Sequence, residues 1–461
     1  REVSPIKGQF CFGSKTVPSA LTYMESDILR QKFLDFFKAK RHKIVDSDSL
    51  VPKDDPTILF TPAGMNQFKR QFLGHLTGFS RAATAQRCLR TDDLDKVGKT
   101  PSHHTFFEML GNFSFGDYFK EEAISFAWEF LTEELKIAEE RLWVSIYKDD
   151  AEAYKIWKEK IKIPENKIIK LGDKENFWPA EAKAKGPNGP CGPCSEIFFD
   201  QGDTVGCARL DCDPSCNCGR FVEVWNLVFT QFNRKEGGIL EPLPKKNIDT
   251  GMGLERLAAV MQGKMSNFET DLFQPIIKEI YFNAQNAITQ SKEPAYAVSD
   301  HIRAIVFAIY DGVMPSNEGR GYVVRKLIRT SALHLRRSLG IKKPFLYKLV
   351  PVISEIMRVP YPELSLRREN IAEIILAEEK NFISTLNSSE NLFNEKFQEF
   401  KNNRDPEKVG RITFQLYDTY GIPLELTQEW LRKHKIDVSR EQILDELVQQ
   451  RERSRLQSTM K

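Results

Sequence analysis

Arg90, His103, His104 and Phe107 fall on one short polar-to-aromatic stretch. A guanidinium can hold a phosphate and an aromatic face can stack on a base, so these residue types suit a nucleotide. They equally describe a charged loop over an aromatic core. Further along, Asp249, Gly251, Gly253 and Arg256 stand in KKNIDTGMGLERLAAVMQG, where bare glycines let backbone approach a ligand closely. A different chemistry is written in the cysteines, six of whose eight lie between Cys191 and Cys218. That density in so long a chain points to a metal site in a reducing compartment and not to a disulfide scaffold. Cys207, Cys212, Cys216 and Cys218, punctuated by Pro214 and Gly219, can wrap one tetrahedral Zn2+ as a structural knuckle with no open position for water. A set mixing in Cys191 and Cys194, or simply reduced thiols, are the alternatives.

The elements that must position these residues can be read from periodicity. Ala83 to Leu89 and Thr105 to Leu110 form the strands of a long antiparallel hairpin, with Gly98 and Pro101 as breakers between them. Alternation sends Thr105, Phe107 and Met109 to one face and Phe106 and Glu108 to the other. The segment from Lys245 runs from a strand into a Gly-x-Gly turn and then an amphipathic helix with Leu254, Leu257, Ala258 and Met261 inward. Phe221 to Phe232, FVEVWNLVFTQF, is apolar almost throughout, as a strand buried on both faces should be. Period two places Val224, Asn226, Val228 and Thr230 together, so Asn226 is a polar side chain among valines and needs a partner. Ser26 is expected to cap a helix burying Ile28, Leu29, Phe33, Phe36 and Phe37. Lys120 to Leu135 reads as a helix, and Leu142 to Tyr147 and Ile168 to Leu171 as strands.

The wording of several segments carries a resemblance. The Asp-x-Gly-x-Gly-x-Glu-Arg stretch behind an arginine-bearing hairpin is similar to motifs 3 and 2 of the class II aminoacyl-tRNA synthetases. DDPTILFTPAGMNQFK, HHTFFEMLGNFSFGDYF, CGPCSEIFFD, IDTGMGLER, MPSNEGRGYVVRK and LYDTYGIPLELT resemble the alanyl-tRNA synthetase family, from about Met24 to the C-terminus. The resemblance implies an α+β fold: a class II catalytic core built on an antiparallel sheet, followed by a helical tRNA-recognition region. It divides the chain into a tag or targeting remnant (1–23), a catalytic domain with a Cys-rich insertion at 191–218 (24–264) and a helical acceptor-stem domain (265–461). The part that edits mischarged products is not expected here.

The implied reaction is ATP-dependent activation of L-alanine and transfer to the 3' end of tRNA(Ala), with Mg2+ accompanying ATP. Arg90 would bridge the alanine carboxylate and the α-phosphate, Phe107 and Arg256 would sandwich the adenine, and His103 would face the outer phosphates. Trp178, Asn226 and Val228 would contact alanine, Asp249 would meet its ammonium, and Gly251 and Gly253 would admit ligand against backbone. Asn317 and Asp418 would read a G:U pair in the acceptor stem. Arg90 is followed directly by Thr91, Asp92 and Asp93, whereas many family members carry a Gly-Gly-Lys there, so Lys96 or Lys99 would have to replace the ATP-binding lysine.

Composition limits the field without naming a function. The net charge is only +3, so a nucleic-acid surface must be local. Ser316 to Lys343 supplies it: eight basic residues, among them Arg320, Arg325 and Arg329, stand against Glu318. No apolar run approaches the ~20 residues of a membrane span. The expected setting is cytoplasmic, or an organelle if residues 1–23 are a targeting remnant, and the oligomeric state stays open, with a monomer favoured over a dimer. An alanine-activating relative that loads another carrier would not need the basic stretch, and a zinc-containing RNA-binding module would not need Arg90, Asp249 and Arg256.

Overall fold

The computed structural model describes residues 22–52, 58–75, 78–207, 209–216, 218–284 and 291–400, with isolated positions at 409, 413, 427 and 430–432. Asp418 and the segment after 432 lie outside the described residues. The chain forms two compact units: Arg1–Ser49, Thr61–Cys88 and Phe107–Leu272 make the first, and Leu50–Phe60, Leu89–Phe106 and Phe273–Lys461 the second.

The sheet runs through β1 (Lys43–Ile44), β2 (Arg81–Leu89), β3 (Phe106–Phe115), β4 (Leu142–Tyr147), β5 (Ile168–Leu171), β6 (Phe177–Trp178), β7 (Gly189–Asp200), β8 (Phe221–Arg234) and β9 (Leu240–Gly253). The strand order is β1-β2-β3-β9-β8-β7-β4-β5, with β6 paired to β7 off this path. The contacts β3–β9, β9–β8, β8–β7 and β7–β4 are antiparallel, while β1–β2 and β4–β5 are parallel. The α+β class with a mainly antiparallel sheet is thus the fold of this chain.

One face of the sheet is closed by aromatic packing. Trp225 on β8 meets Phe33, Phe37 and Phe130 at ring-centroid distances of 5.8, 6.3 and 5.7 Å. Phe33 and Phe37 come from the helix Ser26–Ala39, whose inward stripe is Leu29, Arg30, Phe33, Phe36 and Phe37. Ile28, expected inside, is half exposed, and Arg30 takes an inward position instead. The reason is a carboxylate: Arg30 donates Nε to Glu108 Oε1 (2.9 Å) and Nη2 to Oε2 (2.5 Å), and Glu108 is fully buried. A paired guanidinium can enter a core where a lone one cannot. Ser26 does not cap its helix with its own side chain. Its N–H and hydroxyl both donate to Asp271, at 2.8 and 2.6 Å, so a carboxylate 245 residues away covers the helix start.

Alternation along β3 is as read: Phe106 and Glu108 are buried while Phe107 and Met109 are partly open. The helix expected over Lys120 to Leu135 is α-helical only to Glu129, after which Phe130–Glu134 widens to a π-helical turn. Gly251 and Gly253 are not a turn. They end β9, and the helix Leu254–Met261 starts directly from the strand, with Leu254, Leu257, Ala258 and Met261 buried.

In the second unit, Arg90 N–H donates to Thr105 C=O (2.9 Å) where the β2–β3 connection closes. Asp300, fully buried in the helix Glu293–Tyr310, accepts from Thr105 N–H (3.0 Å) and pairs with His104 Nδ1 (3.0 Å). Gly98 has φ +80°, and a Cβ there would stand 2.7 Å from the Glu293 carbonyl oxygen, so only glycine fits this turn. The helices Gly319–Arg337 and Leu364–Phe400 belong to the same unit.

Candidate active site

The first unit gathers most of the expected small-molecule residues on the sheet face opposite Trp225. Strand register does this. Val228 lies directly across from Asp249, and Asn226 across from Gly251. On the far side Asp249 faces Phe113 of β3, and on β7 Cys194 and Glu196 face Val228 and Asn226. Two adjacent rows thus run across the sheet, Cys194-Val228-Asp249-Phe113 and Glu196-Asn226-Gly251. Trp178 packs against the neighbouring apolar cluster of Ala63, Met65, Phe68, Phe72 and Phe113. It is joined to Pro179 by a cis peptide bond.

Asp249 is the chemically unusual member of this face. Its side chain is buried and takes no hydrogen bond or ion pair among the described residues, and burial pushes its carboxyl up from 3.8 to about 7. An acceptor held among apolar neighbours without a partner suits a cationic ligand group. A Cβ at Gly251 would stand 2.9 Å from Met109 Sδ, so any larger residue would push Met109 aside. Arg256, on the first turn after β9, is held by Glu223 of β8 at 2.8 Å. The backbone N–H of Glu108 donates to the Glu255 carboxylate (3.1 Å), fixing β3 to the start of that helix. Arg90 and His103 belong to the second unit, where His103 Nδ1 pairs with Thr100 Oγ1 at 2.8 Å.

Residue-by-residue reading missed Glu196. It lies in the quoted CGPCSEIFFD, and Asn226 Nδ2 donates to its Oε1 at 3.1 Å. The partner that a half-buried Asn226 required was therefore on the adjacent strand. Only strand pairing could have found it.

The cysteines separate into two groups. Cys207, Cys212, Cys216 and Cys218 bring their sulfurs within 4.8 Å of one another, with close pairs at 3.6, 3.7 and 3.5 Å. Four sulfurs each ~2.3 Å from one tetrahedral ion would stand about 3.8 Å apart, so this donor set fits Zn2+. Gly206 has φ +90°, and a Cβ there would lie 2.6 Å from Cys218 Sγ. Cys191 and Cys194 are buried in β7 itself, across from Phe232 and Val228.

In the second unit the basic helix Gly319–Arg337 is partly neutralised. Arg325 and Arg329 both reach Glu378, at 3.3 and 2.9 Å. Arg325 also donates to Oδ1 of the exposed Asn317. Arg320 donates to the Leu59 carbonyl.

Residues 28–461 match the family of class II tRNA synthetases (A), and the chain belongs to that family. It is 49% identical over 441 residues to the alanine–tRNA ligase of Petrotoga mobilis, covering 94% of this chain and 49% of that protein. It is 50% identical over 446 residues to that of Thermotoga petrophila (95% and 50%), and 46% over 431 to that of Desulforamulus reducens (93% and 48%). The chain spans about half the length of these curated relatives.

Proposed function

We propose that this chain activates L-alanine with ATP and transfers the alanyl group to the acceptor end of tRNA(Ala). The observation that carries the reading is Asp249, a buried carboxylate without a side-chain partner among the described residues, set across from Val228 and one row from Asn226 and Gly251. An α-amino acid needs an anion for its ammonium and, when the side chain is one methyl, a small apolar wall. Asp249 supplies the first, and Val228 with Trp178 the second.

An oxygen of the alanine carboxylate forms a bond to the α-phosphorus as pyrophosphate leaves with its electron pair. A terminal ribose hydroxyl then attacks the acyl carbon, the bond from that carbon to the phosphate oxygen breaks, and AMP departs with the electron pair while the hydroxyl proton passes to the phosphate. No side chain needs to form a covalent bond, so the enzyme's contribution is positioning and charge stabilisation. Arg90 holds the alanine carboxylate against the α-phosphate, His103 faces the outer phosphates, and Phe107 and Arg256 enclose the adenine, with Gly253 leaving room beside it. Mg2+ accompanies ATP and offsets phosphate charge.

The catalytic part is assigned to 24–264 and tRNA docking to 265–461, where Arg320, Arg325 and Arg329 track phosphates and Asn317 and Asp418 read the base pair. Cys207, Cys212, Cys216 and Cys218 hold one structural Zn2+, and the thiolates this requires fit a reducing, cytoplasmic setting. Among the described residues no helix is long and apolar enough to cross a membrane. The test is exchange of labelled pyrophosphate into ATP, with and without tRNA. Exchange that requires alanine supports the reading, and exchange indifferent to alanine overturns it.

A further inference from the structure

A row of polar groups crosses the sheet where the alanine site is proposed. Asn176 Nδ2 donates to Ser145 Oγ (2.9 Å), and Ser145 Oγ donates to Glu196 Oε2 (3.3 Å). The other Glu196 oxygen accepts from Asn226 Nδ2 (3.1 Å). Ser145, Glu196, Asn226 and Gly251 are direct cross-strand neighbours on β4, β7, β8 and β9, so the row is set by register and not by chance side-chain reach. It ends on Asn226 Oδ1, which is buried and has no hydrogen-bond donor among the described residues.

An asparagine amide is pseudo-symmetric, with a donor end and an acceptor end of nearly equal size. Left to itself in a half-buried site it can present either. A carboxylate beside one end removes that freedom, because it accepts and so selects the nitrogen. We infer that Glu196 is a positioning residue that fixes the polarity of Asn226, so that the amide oxygen and not the amide nitrogen is offered to the incoming ammonium. This rests on the alanine-activation reading. A flipped amide would set donor against donor, and the ammonium would keep Asp249 alone. Glu196 shares a hydrogen bond with Asn226 and none with the residues placed around ATP among the described residues, so its removal bears first on alanine.

Burial and the nearby Glu223 carboxylate push Glu196 well above the usual range. In its protonated form the proton sits on Oε2, where the Ser145 hydroxyl can turn to accept it, and Oε1 still accepts from Asn226. A glutamine can make the same bond, with its own oxygen toward Asn226 and its nitrogen toward the Ser145 hydroxyl, which can accept. Leucine fills similar volume and makes neither bond.

The experiment is alanine-dependent pyrophosphate exchange on the full 461-residue chain, with Glu196→Leu, Glu196→Gln, Asn226→Ala and the double variant Glu196→Leu/Asn226→Ala. Losing a hydrogen bond to a charged group costs roughly 10- to 100-fold in apparent affinity, and that rise in the KM for alanine is expected of Glu196→Leu. The KM for ATP should stay within about twofold, an interval well below the ~10-fold effect of losing a hydrogen bond to a charged group. Glu196→Gln should restore alanine use, and Glu196→Leu should add nothing in the Asn226→Ala background. If thermal melting shows Glu196→Leu unfolded, Glu196→Met carries the same expectations. An unchanged alanine KM, equal rises for alanine and ATP, or a full Glu196 effect without Asn226 overturns the inference while leaving the activation reading intact. Wild-type exchange indifferent to alanine overturns both.

Discussion

Asp249→Asn should change how the ligand-free protein responds to pH in a way that ordinary surface carboxylates cannot imitate. The cross-strand neighbours of Asp249 are Phe113 and Val228, and neither offers a side-chain donor. Burial therefore raises its carboxyl from 3.8 to about 7. A raised folded-state value means that the native protein binds this proton more tightly than the unfolded chain does. The contribution is fully present below about pH 4, shrinks as pH rises, and is gone once pH has passed through about 7. The rise from 3.8 to about 7 is worth about 4 kcal/mol. Between pH 4 and 8 the wild type should lose roughly that much stability relative to the asparagine variant, which stays neutral throughout. Five of the six tryptophans, Trp128, Trp143, Trp157, Trp178 and Trp225, lie in the same unit, so urea titrations followed by tryptophan fluorescence report on it. Alanine should restore wild-type stability above neutral pH and do little for the variant. Parallel pH profiles for the two proteins would refute the argument, because they would mean that Asp249 titrates as though solvated.

Cutting the buried pair by Arg30→Leu should cost about 3–5 kcal/mol, because Glu108 would keep its charge without the bidentate partner. Replacing both residues with leucine should recover much of that loss, and a single-variant cost under ~1 kcal/mol in urea unfolding would contradict the assignment. Cys216→Ser should abolish stoichiometric zinc measured by metal analysis, whereas Cys191→Ser should keep it, and the reverse pattern would move the site to β7. Asn317→Ala should lose about 1–3 kcal/mol of preference for a G:U over a G:C acceptor, a magnitude taken from DNA base readout, with pyrophosphate exchange nearly unaffected. Equal loss on both acceptors would show that Asn317 holds the fold or the phosphates instead.

Local pattern was enough for the parts of this protein whose cause is local. Alternation put Asn226 and Val228 on one face and Phe106 and Glu108 on another, because strand parity depends only on neighbouring residues. The extents of β4 and β5 followed from their apolar runs, and cysteine spacing favoured, over a set mixing in Cys191 and Cys194, the four thiols that the fold draws together. Motif wording led to the synthetase family, which the match over 28–461 shows. What the sequence could not decide was every partnership made across the chain. Arg30 meets Glu108 and Ser26 meets Asp271 because a helix lies against a sheet, and an amphipathic pattern does not say which inward position will be an arginine with a partner. Glu196 reaches Asn226 through the register of β7 on β8, fixed by strand pairing between segments 30 residues apart. The raised proton affinity of Asp249 is likewise a tertiary fact. The same aspartate in solvent would ionise near its ordinary value, and only the strands on either side of it, with no donor to offer, remove the water that would make it ordinary.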